Sequence, residues 1–461
     1  MKTKRIIALD AFRGFTVALM ILVNNPGSWS HIYSPLRHAE WQGCTPTDLV
    51  FPFFLFVVGV ASFFSFKKFD FKLNKTTFLK LFRRALLIFL IGFLLNLYPF
   101  FDINKPFSLQ NIWHKLETVR VFGVLQRIAC AYFTGIFLCL LFKSTKKIAT
   151  AGVALMLLFW GILIAYNPQN PYDKKENACR AVDLIIPGEN NVYKGYSRTL
   201  ELDNFNFTIV DNTHFNIKPA DGKNIDMNYI SFQSAPDGYE LKKEAQNAKI
   251  SYIAVPFENT DAENLSSNAV MQFTSATERI PFDPEGLLGA MSAAATVVFG
   301  FLTGRLINFY SENKEKIVTH LLLFGLAAVF AGMFWGQWFI ICKPLWTGSY
   351  VLYAGGLAMV VLAFFIWFMD VKQYSQKYFR PFIAFGSNPL FLFVMSGVIV
   401  KTMSFPCFNI GGMPFQSHIY ASIYKGIVDP AFGSLLYAVT FVAVLWIIAD
   451  ILYRKKIYIK V

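Results

Sequence analysis

Apolar runs of membrane-crossing length recur along the chain, divided by short polar connections. They predict spans at about 7–24, 49–66, 82–98, 121–142, 148–165, 286–308, 318–341, 350–369, 382–400 and 430–452. Most are near the ~20 residues a helix needs to cross a bilayer with its backbone hydrogen bonds satisfied internally. The third run is short and extends inward through Arg84 and Arg83. Pro389 inside the ninth predicts a local break, since proline removes a helical N–H. Between the fifth and sixth runs the pattern changes. Residues 166–285 are polar and rich in Asn, Asp, Tyr and Pro, and NVYKGYSRTLELDNFNFTIVDN alternates weakly, as short strands do. That stretch is too long for a structureless connection. The expected fold is an all-α polytopic membrane protein of about ten transmembrane helices with a mixed α/β or irregular extracytoplasmic insertion. Its parts are an N-terminal five-helix part (1–165), the insertion (166–285) and a C-terminal five-helix part (286–461).

Composition supports this division. The 461 residues are 55% hydrophobic and 16% charged, with 50 Phe, more apolar than a soluble protein of that length. The net charge of +14 would suit a nucleic-acid binder, but its distribution excludes that class. When ten spans are threaded, the basic residues gather at one set of ends. These are Lys2, Lys4 and Arg5, the cluster from Lys67 to Arg84, Lys143 to Lys147, Arg305 to Lys316, Lys372 to Arg380 and the tail YRKKIYIKV. That side is cytoplasmic by the positive-inside rule, and both termini fall on it. The opposite short loops hold fewer positive charges, with Arg37 in the first and Lys343 in the fourth. MKTKR before an apolar run resembles a signal peptide, but Asp10 and Arg13 interrupt the run, so it reads as a retained first helix. Of the six cysteines, Cys44, Cys179, Cys342 and Cys407 fall in outward regions, where a disulfide is permitted but cannot be paired from sequence. No cysteine or histidine spacing predicts a metal site.

Some polar residues need a reason to stand where they do. LRHAEWQGCTPTDLVFPFFLFVVG, from Leu36, carries His38, Trp41 and Asp48 into the mouth of the second span. His38 is an interfacial residue beside an aromatic belt or a proton-transfer group. Asp48 is a helix cap or that group's partner. Asn24 and Asn25 end the first span close by in sequence. Asp10 and Arg13 sit three apart on one face of that span, as an ion pair or as ligands. Arg127 lies at membrane depth in RVFGVLQRIACAYF. Asp283 and Glu285 stand before the sixth span, Lys343 and Trp346 before the eighth, and Asn388 beside Pro389 in the ninth.

These fragments together resemble the transmembrane acyltransferase family that contains heparan-alpha-glucosaminide N-acetyltransferase, with its bacterial relatives. They are LDAFRG (9–14), NNPG (24–27), HAEWQGCTPTDLVFPFFLFVVG (38–59), GVLQRIA (123–129), DPEGLL (283–288), KPLWTGSYVL (343–352) and GSNPL (386–390). The resemblance covers nearly all of the membrane part and implies transfer of an acetyl group from cytosolic acetyl-CoA, as co-substrate, to an amino sugar or envelope glycan beyond the membrane. It implies His38 as the active histidine, general base or acetyl carrier, and Asn24 as an active-site asparagine. The chemistry of acetyl transfer offers Asn24 as oxyanion donor and Asp48 as a carboxylate to orient His38. Asp10, Arg13, Arg83, Arg84, Arg127 and Asn388 are the candidates for the CoA path. Asn25, Trp41, Asp283, Glu285, Lys343 and Trp346 are the candidates for the acceptor. The implied setting is a homodimer in the lipid bilayer of a bacterial cytoplasmic membrane, with no nucleic-acid partner and no metal. A transporter or flippase for an amino sugar or glycan precursor is the rival reading, because it also wants polar groups around an intramembrane cavity. A structural envelope protein is the third.

Overall fold

The computed structural model describes residues 6–29, 31–39, 42–101, 107–119, 121–166, 287–427 and 429–459, and eight strands between 180 and 273. The chain divides into two compact units, Met1–Leu163 with Pro284–Val461, and Ile164–Asp283.

The helices of the first part are α1 (Ile7–Asn24), α2 (Pro46–Lys67), α3 (Lys75–Leu97), α4 (Leu109–Thr118), α5 (Val124–Phe142) and α6 (Thr145–Tyr166). After the insertion come α7 (Leu287–Phe309), α8 (Lys314–Trp335), α9 (Gly348–Ile366), α10 (Gln376–Ser387), α11 (Pro389–Met403), the short α12 (Phe415–Ile419) and α13 (Pro430–Arg454). Among the described residues, eight helices are long and apolar enough to cross a membrane: α1, α2, α5 to α9 and α13. The pair α10 and α11, bent by 76° at Asn388–Pro389, makes a ninth if it is one span. The expected ten exceed this by α3. It is 23 residues long, but Lys75, Lys80, Arg83 and Arg84 occupy its first three turns.

Lipid tails are as apolar as leucine, so helices in a bilayer associate by close packing rather than by leaving water. Two glycine pairs permit that packing here. A Cβ at Gly14 of α1 would lie 1.7 Å from the Phe382 carbonyl oxygen of α10, and one at Gly386 would lie 1.9 Å from the Asp10 carbonyl oxygen. At the α2–α7 crossing, a Cβ at Gly59 would meet the Val297 oxygen at 2.2 Å, and one at Gly300 the Phe56 oxygen at 2.1 Å. Aromatic rings fill the space beside these crossings. Phe12 packs on Phe53 and Phe365, and Phe63 on Phe301.

The bend between α10 and α11 is fixed by Asn388, which is fully buried. Its Nδ2 donates to the Ile457 carbonyl at 2.9 Å, and its Oδ1 accepts from the Ile459 N–H at 2.6 Å. Pro389 then begins α11 where a helical N–H has no partner to lose.

The second unit holds one eight-stranded antiparallel sheet. Its strands are β1 (Arg180–Ile185), β2 (Val192–Ser197), β3 (Phe205–Asp211), β4 (His214–Pro219), β5 (Ile230–Ala235), β6 (Gly238–Lys242), β7 (Ile253–Val255) and β8 (Val270–Phe273). The order is β2-β1-β8-β3-β4-β5-β6-β7, so the last strand returns to lie between β1 and β3. No helix falls among the described residues from 180 to 273.

Candidate active site

The site begins with a helix cap. Thr45 is the N-cap of α2 and Asp48 its third residue, the two ends of a capping box. Asp48 Oδ2 accepts from the Thr45 N–H at 3.0 Å and from the Ala39 N–H at 2.9 Å. The Thr45 hydroxyl donates to the Arg37 carbonyl at 2.6 Å, folding residues 37–45 back over the helix start. That fold brings His38 to the other carboxylate oxygen, with Nδ1 2.7 Å from Asp48 Oδ1. One oxygen of Asp48 therefore caps the helix, and the second holds the histidine.

A second loop closes on the first. Gly43, at φ +105°, donates its N–H to the Ile341 carbonyl at 2.8 Å and pairs with Cys342 as an isolated parallel bridge. A glycine takes this left-handed backbone without strain. Thr347 holds the loop's other end, accepting from the Cys342 N–H at 3.1 Å and donating to the Ile340 carbonyl at 2.8 Å. Between them Lys343 sets Nζ 3.2 Å from Asp48 Oδ1, 2.9 Å from His38 Nδ1 and 3.5 Å from His38 Nε2.

Not all these contacts can be hydrogen bonds together. A carboxylate accepts only, so the imidazole proton sits on Nδ1 and points at Asp48. The lysine then donates to Asp48, and its short approach to Nδ1 is a cation lying against the ring. In the neutral ring of this tautomer the lone pair is on Nε2, 3.5 Å from Lys343 Nζ. The Asp48 side chain is 1% exposed and the His38 side chain 49%, so the carboxylate is sealed while the ring faces outward.

Below this cluster the packing is aromatic and dense. The Tyr350 hydroxyl donates to the Asp48 main-chain carbonyl at 2.6 Å. Trp346, fully buried at φ +61°, stands edge-on to Phe51 and Tyr350 and donates Nε1–H to Thr296 Oγ1 at 3.1 Å. The Arg127 guanidinium of α5 lies 5.3 Å from its ring, in space that Gly289 leaves open. Trp346 is thus floor rather than a surface an acceptor touches.

The other sequence candidates divide. Lys343 joins His38 and Asp48. Asn24 is exposed at the end of α1 and makes no hydrogen bond to that trio. Asn25 is buried, with Nδ2 donating to the Ile21 carbonyl at 2.6 Å, which ends its own helix. Asp10 and Arg13 pair at 3.3 Å along α1. Both ends of the Asn388 amide are taken up by residues 457–459. Arg83 and Arg84 line an open groove of about 610 Å³ on α3, and the Arg84 guanidinium stacks 5.1 Å over Tyr132 of α5. Trp41, Asp283 and Glu285 lie outside the described residues, as do Arg120 and Cys179. The sequence reading passed over Tyr350, although Pro52, four residues after Asp48, signals a carbonyl in need of another donor.

Two thiols adjoin the site. Burial pushes Cys44 up to about 12, with the Asp48 carboxylate adding and the Lys343 ammonium opposing. Burial likewise holds Cys342 up at about 12. Both are free and neutral near pH 7, and a neutral buried thiol is a poor nucleophile. Of the side chains around Asp48, the imidazole is left with an available lone pair.

Comparison with known proteins bears on the same residues. Residues 5–176 match the family model described as heparan-alpha-glucosaminide N-acetyltransferase, catalytic, a segment that includes His38 and Asp48. Two curated relatives are similar along 99% of the chain. The heparan-alpha-glucosaminide N-acetyltransferase of Mus musculus is 24% identical over 480 residues, and that of Homo sapiens 25% identical over 467. The chain spans 60% of the length of each. By these matches the chain is similar to heparan-alpha-glucosaminide N-acetyltransferases, most specifically over the catalytic segment at residues 5–176.

Proposed function

We propose that the protein moves an acetyl group from cytosolic acetyl-CoA to the amine of a glucosamine-like sugar on the far side of the membrane. The observation that carries this is the 2.7 Å bond from His38 to Asp48 with Lys343 beside it, in a chain homologous to such enzymes. Asp48 orients the ring, and Nε2 takes a proton from the acceptor ammonium as its nitrogen attacks the thioester carbonyl. The carbonyl oxygen becomes an oxyanion beside the Lys343 ammonium, with Asn24 proposed as a second donor on the resemblance alone. The C–S bond then breaks, and the attacking nitrogen gives up its second proton to become the amide. The CoA thiolate leaves and takes that proton, and the His38 imidazolium returns its own to solvent. In the two-step variant Nε2 attacks first, CoA leaves, and the acetyl-imidazole yields its acetyl group to the amine.

The sidedness of this reading rests on parity. Groups in direct contact at helix ends share a face of the membrane, so an even number of crossings separates them. His38 touches Lys343, and Lys67 Nζ donates to Asn308 Oδ1 at 2.6 Å. Each pair is separated by an even number only if α3 also crosses. Tyr33 donates to Asp429, which then requires α10 and α11 to cross as one broken span. Ten crossings satisfy all three contacts. The Lys and Arg distribution supports an extracytoplasmic position for His38, Lys343 and the insertion, with both termini cytoplasmic, and the proposed setting is a bacterial inner membrane.

Calorimetry on purified protein in detergent tests the donor. Acetyl-CoA should bind well above adenosine, and radiolabelled acetyl should appear on an amino sugar. Failure of folded protein to bind acetyl-CoA at millimolar concentration would move the reading to a transporter, which the 76° break at Asn388–Pro389 favours.

A further inference from the structure

We infer that the first turns of α3 form a headgroup site for an anionic phospholipid, whose acyl chains lie along the leucine face of the same helix. The site rests on the reading that α3 crosses the membrane. The groove of about 610 Å³ on α3 is lined by four cations, Lys75, Lys80, Arg83 and Arg84, one hydroxyl and two leucines, with no carboxylate. Nearby, Asp70 in the α2–α3 turn is 80% exposed and pairs loosely with Lys72 at 3.8 Å. The charge is held in place. Lys80 and Lys68 lie over the Phe69 ring, at 4.7 and 5.5 Å, and Arg84 lies over Tyr132. The Arg84 Nε is buried without a hydrogen-bond partner.

Beyond the cations the helix changes character. Leu81, Ala85, Ile88 and Gly92 are buried, and a Cβ at Gly92 would meet Leu125 of α5 at 2.6 Å. Leu79, Leu86, Leu90 and Leu94 face outward, each more than 40% exposed. From Arg84 to Leu94 the helix rises about 15 Å, and one leaflet of a ~30 Å hydrocarbon core is about that deep. A cationic cluster followed by one leaflet's depth of exposed leucine matches a phosphate headgroup with two acyl chains. The phosphate moiety of CoA meets the same cations, but nothing in CoA uses the leucine face.

Native mass spectrometry of the full chain, delipidated in detergent, tests the site. Palmitoyl-oleoyl phosphatidylglycerol should bind at least fivefold more tightly than the phosphatidylcholine of the same chains. It should also exceed dihexanoyl phosphatidylglycerol and glycerol phosphate by as much. Lys80→Gln/Arg83→Gln, which leaves the Arg84–Tyr132 stack intact, should reduce the preference to less than twofold. Lys75→Gln alone, at the exposed helix start, should reduce it in part and guards against a folding defect in the double variant. Equal binding of the two lipids overturns the proposal. So does displacement of phosphatidylglycerol by acetyl-CoA, which would make the groove part of the donor site. A dimer that excludes lipid also overturns it, by assigning the leucine face to a second copy.

Discussion

Pro52 and Tyr350 act on one carbonyl. Proline at position 52 has no N–H to return to the Asp48 main-chain oxygen four residues earlier, and the Tyr350 hydroxyl supplies the donor at 2.6 Å. The tie fastens the start of α2 to α9 directly beneath the His38 partner. Tyr350→Phe leaves a buried acceptor unpaired and should cost about 1–3 kcal/mol in thermal unfolding. Pro52→Ala restores the missing N–H. The double variant should therefore lose less than the sum of the two single changes. Full additivity in melting curves would sink the assignment.

Asp48 should matter to rate well beyond its part in capping α2. If His38 is the base, His38→Ala should lower acetyl transfer by ~10²–10⁴. Asp48→Asn turns an acceptor into a donor toward Nδ1 and disfavours the tautomer that leaves Nε2 free, so it should fall in the same range. Lys343→Gln withdraws the ammonium facing the oxyanion and should cost ~10²–10³ in kcat. The assay is radiolabelled acetyl-CoA with a panel of amino sugars, and melting temperature is followed alongside. A His38→Ala protein that keeps more than about a third of the wild-type rate would make this histidine an interfacial residue.

Sidedness is open to direct labelling. Single cysteines at 38, 343 and 429, in a background without other cysteines, should react with an impermeant maleimide in intact cells whose outer envelope admits it. Cysteines at 67 and 308 should react only after the membrane is opened. If 38 labels from outside and 343 does not, α3 fails to cross and the ten-span threading is lost.

The Cys44 thiol supplies a pH test. Its proton is held up to about 12, so the thiolate is scarce below that pH and its fraction rises as pH approaches it. Between pH 7 and 9 Cys44 should stay unalkylated while the exposed Cys407 reacts, read by peptide mass. Substituting Cys44 by Ser should leave acetyl transfer within a few-fold of the parent, as a thiol that carries no acetyl group requires.

Most of the helices could be read from runs of apolar residues, because burial in lipid demands them whatever the packing. The run at 82–98 reads as a span from its apolar part alone, although the basic first turns of α3 leave the whole helix less apolar than the eight long spans. The His38–Asp48 pair was half visible. Both residues stand in one quoted stretch, and Asp48 was weighed as a cap or as a partner. The structure gives it both places, one oxygen to each. Lys343 lies 305 residues from His38, and no local pattern links them; shared motif membership brought both forward. Tyr350 was passed over because a tyrosine in an apolar helix looks like core until the proline on its neighbour is set beside it. Asn388 looked like a cavity residue because an amide in a broken helix often is one. Its hydrogen bonds to residues 457 and 459 were beyond any reading by position.

Because both ends of the Asn388 amide hold the segment after α13, the elbow between α10 and α11 cannot straighten unless residues 457–459 let go. The Arg380–Asp450 pair, with contacts at 2.8 and 3.0 Å, joins α10 to α13 a second time. The broken span and the last helix are in effect riveted at two points and must swing as one arm. If the molecule rocks while a long thioester threads through it, the hinge belongs at the unriveted side of that arm. There α1 and α10 meet backbone on backbone at Gly14 and Gly386.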